Sequence, residues 1–328
     1  MNAPLTRPTS RRGPDSSGPK VVALGGGHGL AASLRALRRV TDDVTAVVAV
    51  SDDGGSSGRL RAEFDVVPPG DLRMALAALC GDDTWGRTWS RVVQHRFAGE
   101  GQLAGHSLGN LLITALWEET GDIVTGLDWV GALLGAHGRV LPVATVPLEV
   151  VADVAGLHPG DPAVLERVVG QVSVAVTRGE VVRLRVEPSD APACPEAVRA
   201  IGEADAVVLG PGSWFTSVLA PLQVRGIGTA VSQAPGRVVI VLNLEAQTGE
   251  TDGFSPERHL EVLARQMPAL RVDTVLADPD RVPDVVALAL AAQALGARLV
   301  LAPVAARDGS ARHDVDLLAS ALGGVLRP

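Results

Sequence analysis

The sequence predicts an α/β protein: a Rossmann-like, mainly parallel sheet that carries a helical insertion and an antiparallel hairpin. Three observations lead there. The apolar run Val21–Leu24 ends in Gly25-Gly26-Gly27-His28-Gly29, and a helical pattern and a second apolar run, Val44–Val50, follow. The same alternation resumes at Ala206–Leu209, which ends in Gly210-Pro211-Gly212-Ser213. Between the two halves lie a stretch of helical spacing and two segments in which valine alternates with other residues. Strand patterns alternating with helix patterns are the signature of a parallel sheet.

Each element has its own justification. Residues 1–20 are rich in Pro, Ser, Thr, Gly and Arg, lack the apolar stretch of a secretory signal, and read as a disordered leader. Leu30, Leu34 and Leu37 recur at i, i+4 and i+7, with Arg35, Arg38 and Arg39 on the other side, which is an amphipathic helix. From about Gly70 to Leu134 apolar positions keep helical spacing, as in Leu111, Leu112, Ala115 and Leu116. Gln171–Thr177 and Val181–Val186 alternate with period two across Arg178-Gly179-Glu180, the pattern of a hairpin with one wet face. Val238–Leu244, Asp273–Ala277 and Leu299–Val304 complete the parallel core. One Rossmann-like domain over residues 21–328, with an insertion at about 70–186, accommodates all of this.

Composition narrows the function. With 46% hydrophobic and 20% charged residues the chain is globular. A net charge of −8 argues against a nucleic-acid binder, which needs cations to displace counterions. No apolar run is long enough to span a bilayer, and two cysteines, Cys80 and Cys194, support neither a disulfide framework nor a four-thiolate zinc site. A cytoplasmic protein is expected.

In an open parallel sheet the ligand sits beyond the carboxyl ends of the strands, where the loops converge. Four strands here end in loops with distinctive chemistry. Gly25, Gly26, Gly27, His28 and Gly29 precede a helix whose free N–H groups suit a phosphate. Asp52 and Asp53, followed by Gly54, Gly55, Ser56 and Ser57, are candidates to hold Mg²⁺ on a diphosphate or to accept from a ribose hydroxyl, with one of the two expected to reach the ligand. Gly210, Pro211, Gly212 and Ser213, with Thr216, form a second glycine-and-hydroxyl helix start, and Asn243 leaves a buried strand able to read a base or sugar edge. Trp214 and Phe215 are either stacking platforms or core. In the insertion, Asp71 is a candidate N-cap, Arg59 or Arg73 a phosphate partner, and His106, Ser107 and Asn110 are candidates to face the ligand, with N-capping the alternative role of Ser107. The G-x-G-x-x-A spacing of Gly27, Gly29 and Ala32 also admits an NAD-binding oxidoreductase, although no Tyr/Lys proton-transfer pair supports one.

Taken together, GGGHG, SDDGGSSGRLR, PPGDLR, GHSLGN, LGPGSWFTS and NLEAQTGET resemble, in that order, the YvcK-type gluconeogenesis factor family, relatives of 2-phospho-L-lactate transferase. The resemblance runs from Val21 nearly to the C-terminus. It implies a nucleotide-binding Rossmann-like sheet with UDP-N-acetylglucosamine as the favoured ligand. It further implies a regulatory role in cell-wall synthesis and cell shape on gluconeogenic carbon sources, with cell-wall synthesis proteins as partners and a homodimer as an open option. The transferase branch implies an alternative: Mg²⁺-dependent transfer of a phosphorylated three-carbon unit to a deazaflavin. Arg312, in Arg312-His313-Asp314, resembles a family element and is a candidate for the diphosphate. The chain departs from the family at His28, where Thr is commoner, at Trp214-Phe215, and in having no Tyr.

Overall fold

The computed structural model describes residues 18–327, so the expected leader falls almost wholly outside the described residues. In chain order the strands are β1 (Val21–Gly25), β2 (Val44–Val48), β3 (Arg139–Pro142), β4 (Glu149–Ala155), β5 (Glu166–Val169), β6 (Glu180–Glu187), β7 (Ala206–Leu209), β8 (Arg237–Val241), β9 (Thr274–Ala277) and β10 (Arg298–Leu301). Seven of them form one parallel sheet in the order β10-β9-β8-β7-β1-β2-β3, and β5-β4-β6 form a small antiparallel sheet. The α/β architecture with a mainly parallel sheet therefore holds.

The inner strands are buried along their whole length: every residue of β1, β2, β7 and β9 is inaccessible. Continuous Val/Leu/Ala runs suit strands covered by helices on both faces. The helix Gly27–Leu37 lays Leu30, Leu34 and Leu37 on the sheet, as its spacing predicts. Five helices, Gly55–Phe64, Gly70–Ala78, Thr84–Gln94, Leu108–Thr120 and Ile123–Leu134, fill the excursion between β2 and β3.

The sheet order creates the crevice. From β1 the chain steps outward through β2 and β3 on one side, then returns to β7 on the other and steps outward through β10. The order reverses between β1 and β7, the switch point at which α/β sheets open a ligand groove. Register brings the loops level, because Gly25 pairs with Val48 and Leu24 with Leu209. Ser33 Oγ donates to the Gly210 carbonyl at 2.9 Å and ties the first helix to the exit of β7.

One expectation needs correction. Residues 171–177 are no strand: Gln171–Ala175 is a short helix, and β6 pairs with β4 instead. Val172 and Val176 are exposed and Val174 is buried. Over five residues an i, i+4 pair with its midpoint opposite mimics period two, so the alternation was ambiguous. Leu108–Thr120 is a helix, as its apolar spacing predicts, with Asn110, Ile113, Thr114 and Trp117 turned inward and Leu111, Leu112 and Leu116 half-buried.

Beyond β9, Asp278 fastens the last strand's exit. Its carboxylate accepts from Val304 N, Ala305 N and Asp280 N at 2.7, 2.8 and 3.0 Å. Burial pushes this carboxyl up, but the amides outweigh it and hold the pKa below the ordinary value. Asp278→Ala strands these donors and is expected to cost about 2–4 kcal/mol in urea unfolding; an unchanged midpoint would refute the role.

Candidate functional site

The first and third glycine loops touch. A Cβ at Gly29 would run into the carbonyl oxygen of Pro211, and one at Gly26 into Asp71 Oδ2, with Ser217 Oγ 3.3 Å away. Gly26 caps the helix Gly27–Leu37 in an extended conformation, with neither a side-chain cap nor an acidic residue in the first turn. The positive end of that helix is uncompensated by its own sequence. Asp71 supplies part of what is missing by accepting the Gly27 N–H.

Asp71 is therefore not the cap of its own helix, Gly70–Ala78, whose N-cap is Pro69 without a side-chain bond. Its carboxyl turns to the glycine loop and is pushed up to about 7, first by burial, then by the charge of Asp52. The Gly27 amide and Arg73 pull the other way. Asp52 Oδ1 accepts the Gly54 N–H at 3.0 Å, and its Oδ2 would lie 2.8 Å from a Cβ at Gly70. Asp53 faces elsewhere. Its Oδ1 accepts the Val172 N–H at 3.1 Å, capping the short helix, so it is committed to structure. The carboxylate whose charge acts on Asp71 is Asp52, not Asp53.

At the third loop the donors already have a partner. Glu250, only 5% exposed, accepts from Ser213 Oγ at 2.6 Å and from the N–H groups of Trp214, Phe215 and Thr216 at 3.0–3.1 Å. Burial raises its pKa against these bonds. Ser213 also touches Thr216. The amides expected to receive a phosphate here hold a carboxylate of the chain itself. Asn243 is likewise engaged: Oδ1 accepts Gly212 N–H at 2.9 Å and Nδ2 donates to Gly212 O at 2.7 Å, so it shapes the loop. Trp214 and Phe215 are buried in an edge-to-face cluster with His259 and Phe254, which is the core reading.

His106 and Asn110 are 6% and 1% exposed and turn to Ser56, 3.1 and 3.0 Å from its Oγ. Ser107 occupies the N-cap position of Leu108–Thr120, but its Oγ donates to Val93 O and makes no cap bond. Arg59 clamps the carbonyls of Gln102 and Ala104. Arg312 is exposed and pairs with Asp308 at 2.7 Å, making no hydrogen bond to the glycine loops among the described residues. Glu250 and Asp71 are site residues that motif reading missed. The signal available for Glu250 was a carboxylate in the polar stretch after β8, but its target lies 34 to 37 positions away.

Open or partly open to solvent here are Gly27, His28, Gly29, Asp52, Asp53, Gly54, Gly55, Asp71, Gly212, Ser213 and Asn243. Two cavities, of about 420 and 560 Å³, lie elsewhere, one among Arg237, Asp273, Arg298 and Arg327 and the other beside Asp190 and Arg225. Neither is lined by a residue of the glycine loops. No helix among the described residues is long and apolar enough to cross a membrane, and no cluster of three or more His, Cys, Asp or Glu there could hold a metal alone.

Comparison with known proteins fits this geometry. A Mycobacterium tuberculosis protein named "Putative gluconeogenesis factor" is 53% identical over 93% of this chain and 90% of its own length. The Bacillus subtilis "Gluconeogenesis factor" is 38% identical over 81% and 80%. A crystal structure of a UPF0052 family member from Bacillus halodurans superposes with a TM-score of 0.82 at 33% identity, covering 93% of this chain and 99% of that one. Residues 21–299 match the family described as 2-phospho-L-lactate transferase CofD. The match takes in both halves of the parallel sheet and all four loops of the crevice, and the chain belongs to that family.

Proposed function

We propose that the chain is a cytoplasmic regulator that binds a nucleotide sugar, UDP-N-acetylglucosamine, and supports cell-wall synthesis and cell shape during growth on gluconeogenic carbon sources. The observation that carries the reading is the contact of the Gly25–Gly29 and Gly210–Ser213 loops at the switch point, under a helix N-terminus with no cap of its own. The diphosphate rests on the first loop, at Gly27, His28 and Gly29. Gly212, held by Asn243, forms the facing wall. The names of the relatives support the physiological half of the reading.

A second reading has its own support. After burial, the charge of Asp52 is what raises the pKa of Asp71, and a cation relieves that repulsion. Mg²⁺ commonly takes one or two carboxylates and completes its shell with water and substrate phosphates, which this pair fits. A Mg²⁺-dependent transfer from a nucleotide donor to a deazaflavin acceptor, as the family's description suggests, would use Asp52 and Asp71 as the metal's protein ligands.

Calorimetry with UDP-N-acetylglucosamine tests the first reading. The wild-type chain is expected to bind, and Gly27→Val to bind at least about ten-fold more weakly, because φ at Gly27 is +61° and a β-branched residue strains it. Absence of heat with the wild type discards the reading. A pH series tests the carboxylate pair. The folded pKa of Asp71 lies above its unfolded value near 3.8, so its contribution to stability is full below about pH 4 and is lost as pH rises through about 7. The difference in thermal midpoint between Asp71→Asn and wild type is therefore expected to grow in favour of the variant from pH 4 to 7 and then level off. Mg²⁺ is expected to raise the wild-type midpoint more at pH 8 than at pH 6, and a pH-independent difference would dismiss the pairing.

A further inference from the structure

Arg73 is 5% exposed, yet its charge is not neutralised at contact distance. A guanidinium so far out of water is normally matched by a carboxylate or several carbonyls, since an unpaired buried charge is costly. Here Nε donates to Asn110 Oδ1 at 2.9 Å, and among the described residues no carboxylate lies within ion-pair distance. The two Nη groups, with four N–H bonds, have no protein acceptor among the described residues and are not sealed from solvent. Gly70 and Arg73, three apart on one helix, share a face, and Gly70 lies against Asp52 and Ser57. Of the charges that act on Arg73, Arg96 has the same sign and the carboxylates Asp71 and Asp52 the opposite one.

The surroundings hold this side chain in one place. Its stem crosses Gly109, where a Cβ would lie 2.8 Å from Cγ and 2.9 Å from Cδ. Asn110 gives Nδ2 to Ser56 Oγ at 3.0 Å, which orients its Oδ1 toward Arg73. Ser107 N–H also approaches Ser56 Oγ, at 3.4 Å, so both lone pairs of that hydroxyl are used. Its proton then goes to His106 Nδ1, 3.1 Å away. His106, Ser56, Asn110 and Arg73 form one buried chain of hydrogen bonds that ends in a free fork of donors.

We propose that Arg73 is the anion-recognition residue of the crevice, taking a phosphoryl or carboxylate group of the ligand on its Nη groups beside Asp52 and Asp71, with His106, Ser56 and Asn110 as positioning residues. The proposal rests on the reading of the crevice as a nucleotide site. It explains why His106 and Asn110, polar and at the mouth of a loop, are buried. It also sets a requirement for arginine, because a planar fork takes an oxyanion with two parallel bonds where lysine offers a single point charge.

The test is calorimetry of the full chain with inorganic pyrophosphate and with phosphonoacetate, in which a carboxylate replaces one phosphoryl group. Arg73→Lys is expected to weaken pyrophosphate binding by about ten-fold or more. Asn110→Asp supplies Arg73 with an internal anion, so it is expected to weaken binding comparably without lowering the thermal midpoint, which a merely structural role would not do. The probe that loses more affinity in Arg73→Lys identifies the group Arg73 holds. Pyrophosphate affinities within about two-fold of wild type in both variants, or no binding to the wild type at about 10 mM, overturn the proposal. UDP-N-acetylglucosamine bound equally by wild type and both variants also overturns it and leaves the nucleotide-sugar reading intact. Arg73-dependent pyrophosphate binding without any UDP-N-acetylglucosamine heat supports it and removes that reading instead.

Discussion

The approach of two peptide segments at the middle of the sheet governs the rest of the molecule. The start of the first helix lies so close to the turn after β7 that a methyl group at Gly29 would collide with the Pro211 carbonyl. That proximity follows from strand order, since β1 and β7 are neighbours and end at the same height. It leaves a narrow floor of backbone, and the groups around it are arranged to keep it there. Asn243 grips Gly212 by both its N–H and its C=O, and Ser33 grips Gly210. Asp71 closes on Gly26 from the insertion.

Around this floor the buried charges are handled in different ways. Asp278 and Glu250 each receive backbone amides, and the balance with burial falls below the ordinary pKa in the first and above it in the second. Both are carboxylates of the chain spent on holding backbone. For Asp71, burial and then the charge of Asp52 outweigh its one amide, so its proton is held to near neutrality. Arg73 keeps a charge with one neutral acceptor. Groups used only for architecture are satisfied, whereas those facing the groove are left short of partners. That division separates the floor's scaffold from its chemistry, and it places Glu250, Asn243 and Asp53 on the scaffold side.

The small antiparallel sheet bears on the groove through one turn of helix. Gln171–Ala175 is joined to the second loop by Asp53 and by the Ser51–Gln171 bond, while its C-terminal end lies against Gly249, next to Glu250. A segment that resembled half of a hairpin is thus a bridge between the second and fourth loops. The residues that make it so, Asp53 and Gly249, lie more than 70 positions from it on either side.

Local chemistry was enough to identify the parallel core and the loops that close its strands. Apolar runs closed by glycine are legible because burial on both faces and a sharp turn into a helix are properties of a few consecutive residues. The stretches after β1, β2, β7 and β8 were all recognised that way. Partner choice was decided by the tertiary structure. Glu250 filling the third loop, Asp71 replacing Asp53 beside Asp52, and Asn110 serving Arg73 join residues tens of positions apart, and each depends on which way a side chain leaves its helix or strand. A residue's type states what it is able to bond; only the packed sheet and its insertion determine which of several eligible partners is within 3 Å.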